Sequence, residues 1–417
     1  MHISPKKEEV MTTVKAFKAV RPTEESVQML SCLPYDVMDR EEAKMMASGN
    51  SCSYLRIVRS EIDLSDDISA YDECVYQKAK ENLDNFINDG ILVRDEKECF
   101  YIYEETMLGR TQTGICALCS VEDYNNGIIK RHEFTLPKKE VDRINNFLYC
   151  RAHTEPVFFI HKENNSIDLI VSEWKKKDPV YDFVSDDGIR HRFWVVDDDS
   201  VISDITKHFE AMPEVYIADG HHRTASSAKV SEMVGGKDAG YIMAVIFPED
   251  QVKIMDYNRL VLDLGDYTNE EFINKLKTDF TVEEKNCDIY TASKTHEFAM
   301  YIGGIWYSMI PKDGTFDEND PVERIDAQIL QKLVFDKILG IKDPKTTDRL
   351  KFVGGIRGYE YLKEQVDADK AVCAIAVYPV EVKDLLSVAD AGLVMPPKST
   401  WFEPKLRSGL FLHMLDD

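Results

Sequence analysis

Residues 215–224 combine the side-chain types that phosphate chemistry requires. The apolar residues 215–218 are followed by Asp219 and Gly220. Three donors or titratable groups come directly after them: His221, His222 and Arg223. A strand, a glycine turn and a helix start point backbone N–H groups at an anion, and Arg suits bidentate phosphate binding. Asp219 could hold a metal ion or accept a proton, whereas the alternative is an ordinary Asp-Gly surface turn.

A second cluster of titratable residues occupies positions 130–133, behind the apolar pair Ile128 and Ile129. The cluster is Lys130, Arg131, His132 and Glu133. Glu133 ends a strand-like run, so its carboxylate would stand at the end of an apolar element. A solvated charged face is the alternative interpretation.

A third segment, residues 395–405, has an unusual composition for a C-terminal tail. It contains three prolines, Lys398 and Lys405, the hydroxyl residues Ser399 and Thr400, and the aromatic pair Trp401 and Phe402. A rigid backbone with Lys and hydroxyl groups is suited to holding an anion, and the aromatic rings could stack on a base. Alternatively, the segment packs its aromatic rings into the core.

Composition limits the class of protein. The 417 residues are 44% hydrophobic and 30% charged, which is typical of globular domains. The net charge of −24 argues against binding to nucleic acid or to anionic membranes. The chain has no apolar run of about 20 residues and no signal peptide. Nine cysteines without framework spacing predict a reduced, cytoplasmic protein, in which Cys116 and Cys119 are buried rather than metal-bound.

These residues need strands and helices to position them. The pattern predicts a strand up to residue 218 and a helix after residue 224. Further helices are expected over residues 40–47, where Asp39 caps the first turn, and over 71–88 and 323–339. Strands are expected at 53–58, in a two-stranded region over 178–199 and in a hairpin over 295–310.

With these motifs in view, the chain resembles the domain-of-unknown-function family 1015 (DUF1015). Four motifs carry the resemblance, at residues 33–37 (LPYDV), 130–135, 218–223 (ADGHHR) and 396–405. The element at 219–223 also looks like the phosphate-handling motif of the ParB/sulfiredoxin-like fold, which includes free serine kinases. The resemblance implies an α+β protein with an N-terminal β-rich α/β region (residues 1–127), a ParB-like catalytic core (128–262) and a C-terminal α/β domain (263–417).

By this resemblance the chain is a cytoplasmic kinase that makes O-phosphoserine from L-serine, with Mg²⁺ and ATP or ADP; pyrophosphate is left open as the donor. The catalytic residues would be Glu133, Asp219 and His221, with Asp219 also as metal ligand. The phosphates would be bound by Gly220, His222, Arg223, Thr224, Lys398 and Lys405. The acceptor would contact Arg131, His132, Ser399 and Trp401. Nucleic acid and membranes are not expected as partners, and a homodimer is left open.

Other functions remain open at this point. ParB-like folds can act as nucleotide-binding or nucleotide-hydrolysing switches, although no basic helix-turn-helix segment stands out here. A metal-dependent hydrolase could use Asp219, His221 and His222, but adjacent histidines project in different directions on any regular element. A sulfiredoxin-type reductase would need a cysteine beside the turn at Gly220, and the sequence has none there.

Overall fold

The computed structural model describes residues 11–416. Strands form at short runs of β-branched and aromatic residues, whose side chains pack well on a pleated surface. In chain order the strands are β1 (Val14–Lys15), β2 (Val20–Pro22), β3 (Leu92–Arg94), β4 (Phe100–Met107), β5 (Arg110–Ser120), β6 (Ile129–Lys130), β7 (Ala152–His153), β8 (Val157–His161), β9 (Tyr181–Val184), β10 (Arg190–Val196), β11 (Val215–Asp219), β12 (Tyr241–Pro248), β13 (Ile254–Met255), β14 (Tyr257–Val261), β15 (Phe280–Lys285), β16 (Phe298–Ile302), β17 (Ile305–Pro311), β18 (Leu350–Gly354), β19 (Cys373–Ala376), β20 (Trp401–Phe402) and β21 (His413–Met414).

Helices form where apolar residues recur every three or four positions, so that one face can be buried. In chain order the helices are α1 (Val27–Leu30), α2 (Arg40–Ala47), α3 (Leu55–Val58), α4 (Glu73–Asn88), α5 (Val121–Asn125), α6 (Pro137–Cys150), α7 (Asn165–Trp174), α8 (Asp199–Glu210), α9 (His221–Val234), α10 (Asn269–Leu276), α11 (Asp326–Leu330), α12 (Gly358–Asp367) and α13 (Val382–Asp390). Short 3₁₀ turns lie at Ser60–Asp63, Asp238–Gly240 and Gly355–Arg357.

Contacts divide the chain into two units. Of the described residues, the first unit holds 11–131, 135–252 and 404–416, and the second holds 132–134 and 253–403. The second unit is therefore inserted into the sequence of the first. The three-part division expected from the sequence remains a prediction.

The first unit is built on a nine-stranded mixed sheet. Its strand order is β6-β11-β8-β12-β5-β4-β10-β9, with β1 paired to β5. The pairs β6–β11 and β8–β12 are parallel, and the other neighbours are antiparallel. A core on this sheet joins Ile217 of β11 and Ile246 of β12 to Ile205 and Phe209 of α8. Strand β11, which leads into the Asp219 turn, is held between β6 and β8 and so has a fixed end point.

The second unit has a sheet of its own. Six strands in the order β15-β17-β16-β19-β14-β18 pair antiparallel throughout. A core on this sheet joins Met300 and Ile375 to Phe272 of α10 and Leu330 of α11. The fold thus mixes helices with sheets, in agreement with the predicted α+β class, while the ParB-like layout of the centre remains a proposal.

Several predicted elements are confirmed and one is wrong. The predicted cap at Asp39 forms a capping box with Glu42, and the 295–310 hairpin forms as β16 and β17. The strand predicted over 53–58 is instead helix α3, because a short buried apolar run has no periodicity that separates strand from helix. The helix predicted over 323–339 is observed as α11 followed by a π-helical turn at Gln331–Asp336.

Among the helices of residues 11–416, none is both long enough and apolar enough to cross a bilayer.

Candidate phosphate-binding site

The predicted strand–turn–helix is present at residues 215–234. Strand β11 ends at Asp219, Gly220 has φ +92° and ψ 28°, and α9 starts at His221. A Cβ on Gly220 would lie 3.1 Å from Val157 Cγ1 and 3.2 Å from Arg223 Nε. Both the positive φ and this close packing require glycine here. The first N–H groups of a helix lack partners within it, so the turn offers an anion a set of donors and a positive dipole end.

Asp219 is the acidic group of the site. Its Oδ1 accepts a hydrogen bond from the Gly220 N–H at 2.8 Å, and its Oδ2 accepts one from Lys405 Nζ at 2.9 Å. Burial favours a higher pKa, but the charges of Lys405 and Arg223 and these hydrogen bonds outweigh it and hold the pKa of Asp219 well below its usual range. The side chain is 33% exposed. Asp219 is therefore an ionised carboxylate that a ligand can reach.

Lys405 belongs to the first unit, together with Asp219. The sequence predicts Lys405 in a C-terminal domain, and in the structure the chain returns to the first unit at residue 404. The Lys405 side chain is only 12% exposed. A cation held beside Asp219 in this way is oriented before any ligand arrives.

Arg223 supports the turn from inside. It is 3% exposed, and its Nη1 donates to the carbonyl oxygen of Pro156 at 2.6 Å. Burial lowers the pKa of Arg223, but the negative charges of Glu155, Asp36 and Asp219 more than compensate and raise it. The guanidinium is thus a fixed positive charge beneath the turn.

The neighbouring residues of α9 have distinct environments. Burial lowers the pKa of His221 to about 3, so its imidazole is neutral near pH 7. The exposed Arg131 contributes to that shift and therefore lies close to His221. His222 Nε2 accepts a hydrogen bond from the Leu136 N–H at 2.9 Å, which ties α9 to the start of α6. Thr224 is fully buried and donates to the Gly220 carbonyl oxygen at 3.1 Å, so its predicted phosphate contact stays a prediction.

Five other predicted site residues belong to the second unit: His132, Glu133, Lys398, Ser399 and Trp401. The carbonyl oxygen of His132 accepts a hydrogen bond from the Met395 N–H at 2.8 Å, so the motif at 132–134 lies against the start of the C-terminal segment. The contacts thus bring Asp219, His221, Arg223 and Lys405 together in one unit, and His132 to the C-terminal motif in the other.

The C-terminal motif is ordered by its own contacts. Ser399 Oγ donates to the Pro396 carbonyl oxygen at 2.7 Å, and Trp401 Nε1 donates to Glu403 Oε1 at 2.8 Å. The Lys398 ammonium lies 5.5 Å from the centre of the Tyr257 ring. Trp401 pairs with Met255 in a two-stranded ladder, and Phe402 is buried. The segment is docked in the second unit, which agrees with the alternative that its aromatic residues pack.

Cys116 and Cys119 are both buried in β5, and burial raises the pKa of each thiol. Within residues 11–416, no group of three or more His, Cys, Asp and Glu side chains is arranged to hold a metal ion. A magnesium ion at Asp219 would therefore take its remaining ligands from phosphate oxygens and water, which is how Mg²⁺ is usually bound in nucleotide sites. The single ionised carboxylate fits that role.

Glu155 is a residue of this region that sequence reasoning missed. Its Oε1 accepts hydrogen bonds from the Tyr35 N–H at 3.1 Å and from Ser408 Oγ at 2.7 Å, and Arg143 Nη1 lies 3.4 Å from Oε2. Glu155 thereby joins the LPYDV motif, helix α6 and the chain at Ser408. The available signal was an acidic residue two positions before the apolar strand β8.

 

The partners of Glu155 lie at Tyr35, Arg143 and Ser408, which are far apart in the sequence, so no local pattern reveals them.

Comparison with known proteins gives one family and several distant structures. The family model described as "Protein of unknown function (DUF1015)" matches residues 14–328. A search of curated proteins found no match. Among solved structures, a mutant free serine kinase in complex with AMP is 14% identical, with 71% of this chain and 92% of that chain covered and a TM-score of 0.37.

Two further structures are similar at the same level. SbnI with a C-terminal truncation, from Staphylococcus aureus, is 11% identical, with 72% and 90% covered and a TM-score of 0.39. A conserved hypothetical protein from Pyrococcus furiosus is 16% identical, with 71% and 95% covered and a TM-score of 0.34. These TM-scores are low, so the proposals below rest on the geometry of the chain itself.

Proposed function

The chain belongs to the DUF1015 family, and we propose that it is a phosphotransferase that moves a phosphoryl group from a magnesium-bound nucleotide to the hydroxyl group of a free amino acid, L-serine. One observation carries the proposal. An ionised carboxylate, Asp219, and a cation held against it, Lys405, lie where a strand ends and the 14-residue helix α9 begins. Phosphoryl transfer depends mainly on such positioning and on electrostatic stabilisation of the transferring oxygens.

The positive charges of the site are suited to the phosphates. Lys405 and the N-terminus of α9 would contact phosphate oxygens, while Arg223 contributes its charge from beneath the turn. His221 is neutral near pH 7 and so can offer a hydrogen bond without adding charge. Asp219 would hold Mg²⁺, which when bound neutralises charge on the phosphates.

The reaction balances without a further reagent. The bond between the terminal phosphorus and its bridging oxygen breaks, and the serine Oγ forms the new bond to phosphorus. The hydroxyl proton passes to a carboxylate base, the role that the sequence predicts for Glu133, and the shortened nucleotide leaves. Within the first unit, Gly220, His222 and Thr224 keep their predicted roles at the phosphates, and Arg131 keeps its predicted role at the acceptor.

The test is direct. The purified chain is incubated with Mg²⁺, L-serine and either ATP or ADP, and O-phosphoserine is measured by mass spectrometry. We expect O-phosphoserine with at least one nucleotide, and at least about a hundred-fold less from Asp219→Asn, the usual scale for loss of one transition-state contact. Asp186→Asn, a substitution in the exposed turn between β9 and β10, is the matched control and should keep full activity.

Two results would contradict the proposal. One is the absence of O-phosphoserine with both nucleotides while the protein is folded. The other is equal turnover by Asp219→Asn and Asp186→Asn, since that would make the carboxylate irrelevant to the reaction.

A further inference from the structure

A cavity of about 180 Å³ lies in the first unit beside the LPYDV motif. Its walls come from that motif, from residues 58–61, from the segment around Tyr71–Tyr76 and from helix α6. At about 30 Å³ per water molecule, the volume corresponds to about six waters. Drug-sized ligands need about 300 Å³ or more, so this cavity suits a small metabolite.

Most charges in the cavity wall already neutralise one another. Arg143 lies 2.7 Å from Asp142 Oδ2, and Arg59 lies 2.8 Å from Glu61 Oε1. The Arg143 guanidinium also lies 3.8 Å from the centre of the Tyr35 ring. Because these ion pairs carry no net charge, they do not favour a purely anionic or a purely cationic ligand.

Two charged residues of the wall differ from the rest. Asp36 and Lys139 line the cavity, and neither forms an ion pair within 4 Å among residues 11–416. One is negative and the other positive. A ligand that satisfies both must carry an ammonium or similar cation and a carboxylate or similar anion, with no net charge.

We infer that this cavity binds a small α-amino acid as its zwitterion, with Asp36 toward the ammonium group and Lys139 toward the carboxylate. The identification of that amino acid as the acceptor, L-serine, rests on the proposed function. The existence of the zwitterion site does not.

The cavity is electrostatically connected to the Asp219 turn. The negative charges of Glu155 and Asp36 both raise the pKa of Arg223, and Glu155 accepts a hydrogen bond from the Tyr35 N–H. An amino acid bound beside Asp36 would thus be held by the same group of side chains that supports the phosphate-binding turn. The LPYDV motif, which the proposed chemistry leaves without a role, gains one as the wall of the acceptor site.

The experiment is calorimetric titration of the full chain, without nucleotide, with three ligands: L-serine, N-acetyl-L-serine and L-serine methyl ester. We expect binding of L-serine only, because each derivative lacks one of the two charges. Asp36→Asn and Lys139→Gln should each weaken L-serine binding about ten-fold or more. The matched controls Asp89→Asn and Lys370→Gln, both at exposed positions outside the cavity, should bind as the unmodified chain does. Circular dichroism establishes that each variant is folded.

Each outcome bears on a separate proposal. No binding of L-serine, equal binding of a derivative, or unchanged affinity in both cavity variants overturns the inference. Phosphoserine production with an unchanged KM for serine in Asp36→Asn and Lys139→Gln also overturns it, and leaves the proposed function standing. Serine binding that depends on both residues, with no phosphoserine formed from either nucleotide, supports the cavity and refutes the kinase.

Discussion

Replacing Gly220 by alanine is the most informative single change at the proposed phosphate-binding turn. Gly220 has φ +92°, and an added Cβ would lie 3.1 Å from Val157 Cγ1 and 3.2 Å from Arg223 Nε. The same substitution at Gly188 is a matched control, because that glycine has φ +80° and an added Cβ would meet nothing within 4 Å. The two variants share the backbone penalty and differ in packing.

The magnitudes follow from these two terms. A non-glycine residue in the left-handed region costs about 1–2 kcal/mol, and the reduced freedom of the unfolded chain returns about 0.4–1 kcal/mol. Gly188→Ala should therefore destabilise the first unit by about 1 kcal/mol. Crowding against Val157 and Arg223 adds about 1–3 kcal/mol, so Gly220→Ala should cost about 2–4 kcal/mol.

The assay combines urea unfolding with nucleotide binding. Unfolding gives the free energy of each variant, and titration with ADP and Mg²⁺ under conditions where both variants are folded gives the affinity. We expect Gly220→Ala to lose nucleotide affinity and Gly188→Ala to keep it. Equal destabilisation by both variants, together with intact nucleotide binding by Gly220→Ala, would refute the argument that this glycine shapes the site.

Three further predictions concern charge and pH. Arg223→Ala should lower the free energy of unfolding by about 3 kcal/mol in chemical denaturation, because it removes the hydrogen bond to the buried Pro156 carbonyl oxygen and one of the two cations near the buried Glu155, the other being Arg143; a change below about 1 kcal/mol contradicts this. Burial holds the pKa of His153, His191 and His221 in the first unit at about 3. The unfolded chain therefore binds more protons than the folded chain below about pH 6.5, and the free energy of unfolding should fall as the pH drops, by up to about 1.4 kcal/mol per pH unit for each histidine. A flat pH profile of unfolding from 6.5 to 4.5 would exclude this. In the second unit, burial raises the pKa of Asp326 to about 7, so the folded state binds the extra proton and stability should fall as pH rises from about 4 to 7; Asp326→Asn should flatten that dependence, and an unchanged slope would contradict it.

The sequence predicted the local geometry of the site because local rules determine it. Residues 215–228 alone predict an apolar strand, a glycine turn and a helix start. The structure has all three, and Gly220 at the turn has φ +92°. The strand predicted over 53–58 was wrong because six apolar-rich residues fit a buried helix turn as well as a strand. Local rules therefore work where turn residues and periodicity agree.

Long-range contacts were beyond such reasoning. The Asp219–Lys405 pair joins residues 186 positions apart, and nothing in either neighbourhood specifies the other. The same holds for Glu155 and its partners Tyr35 and Ser408. These contacts depend on the path of the chain through the sheet and on the return of residues 404–416 to the first unit.

The return of residues 404–416 to the first unit has a consequence for biosynthesis. Strand β21 (His413–Met414) pairs with β7, and Lys405 completes the surroundings of Asp219. A ribosome makes the chain from its N-terminus, so the first unit lacks its last strand and its lysine while the whole inserted unit is being translated. The inserted unit can fold during translation, whereas the first unit can be completed only after residues 404–416 have emerged. Asp219 thus gains its cationic neighbour only after the second unit has been translated, and chains that stop before Lys405 lack it.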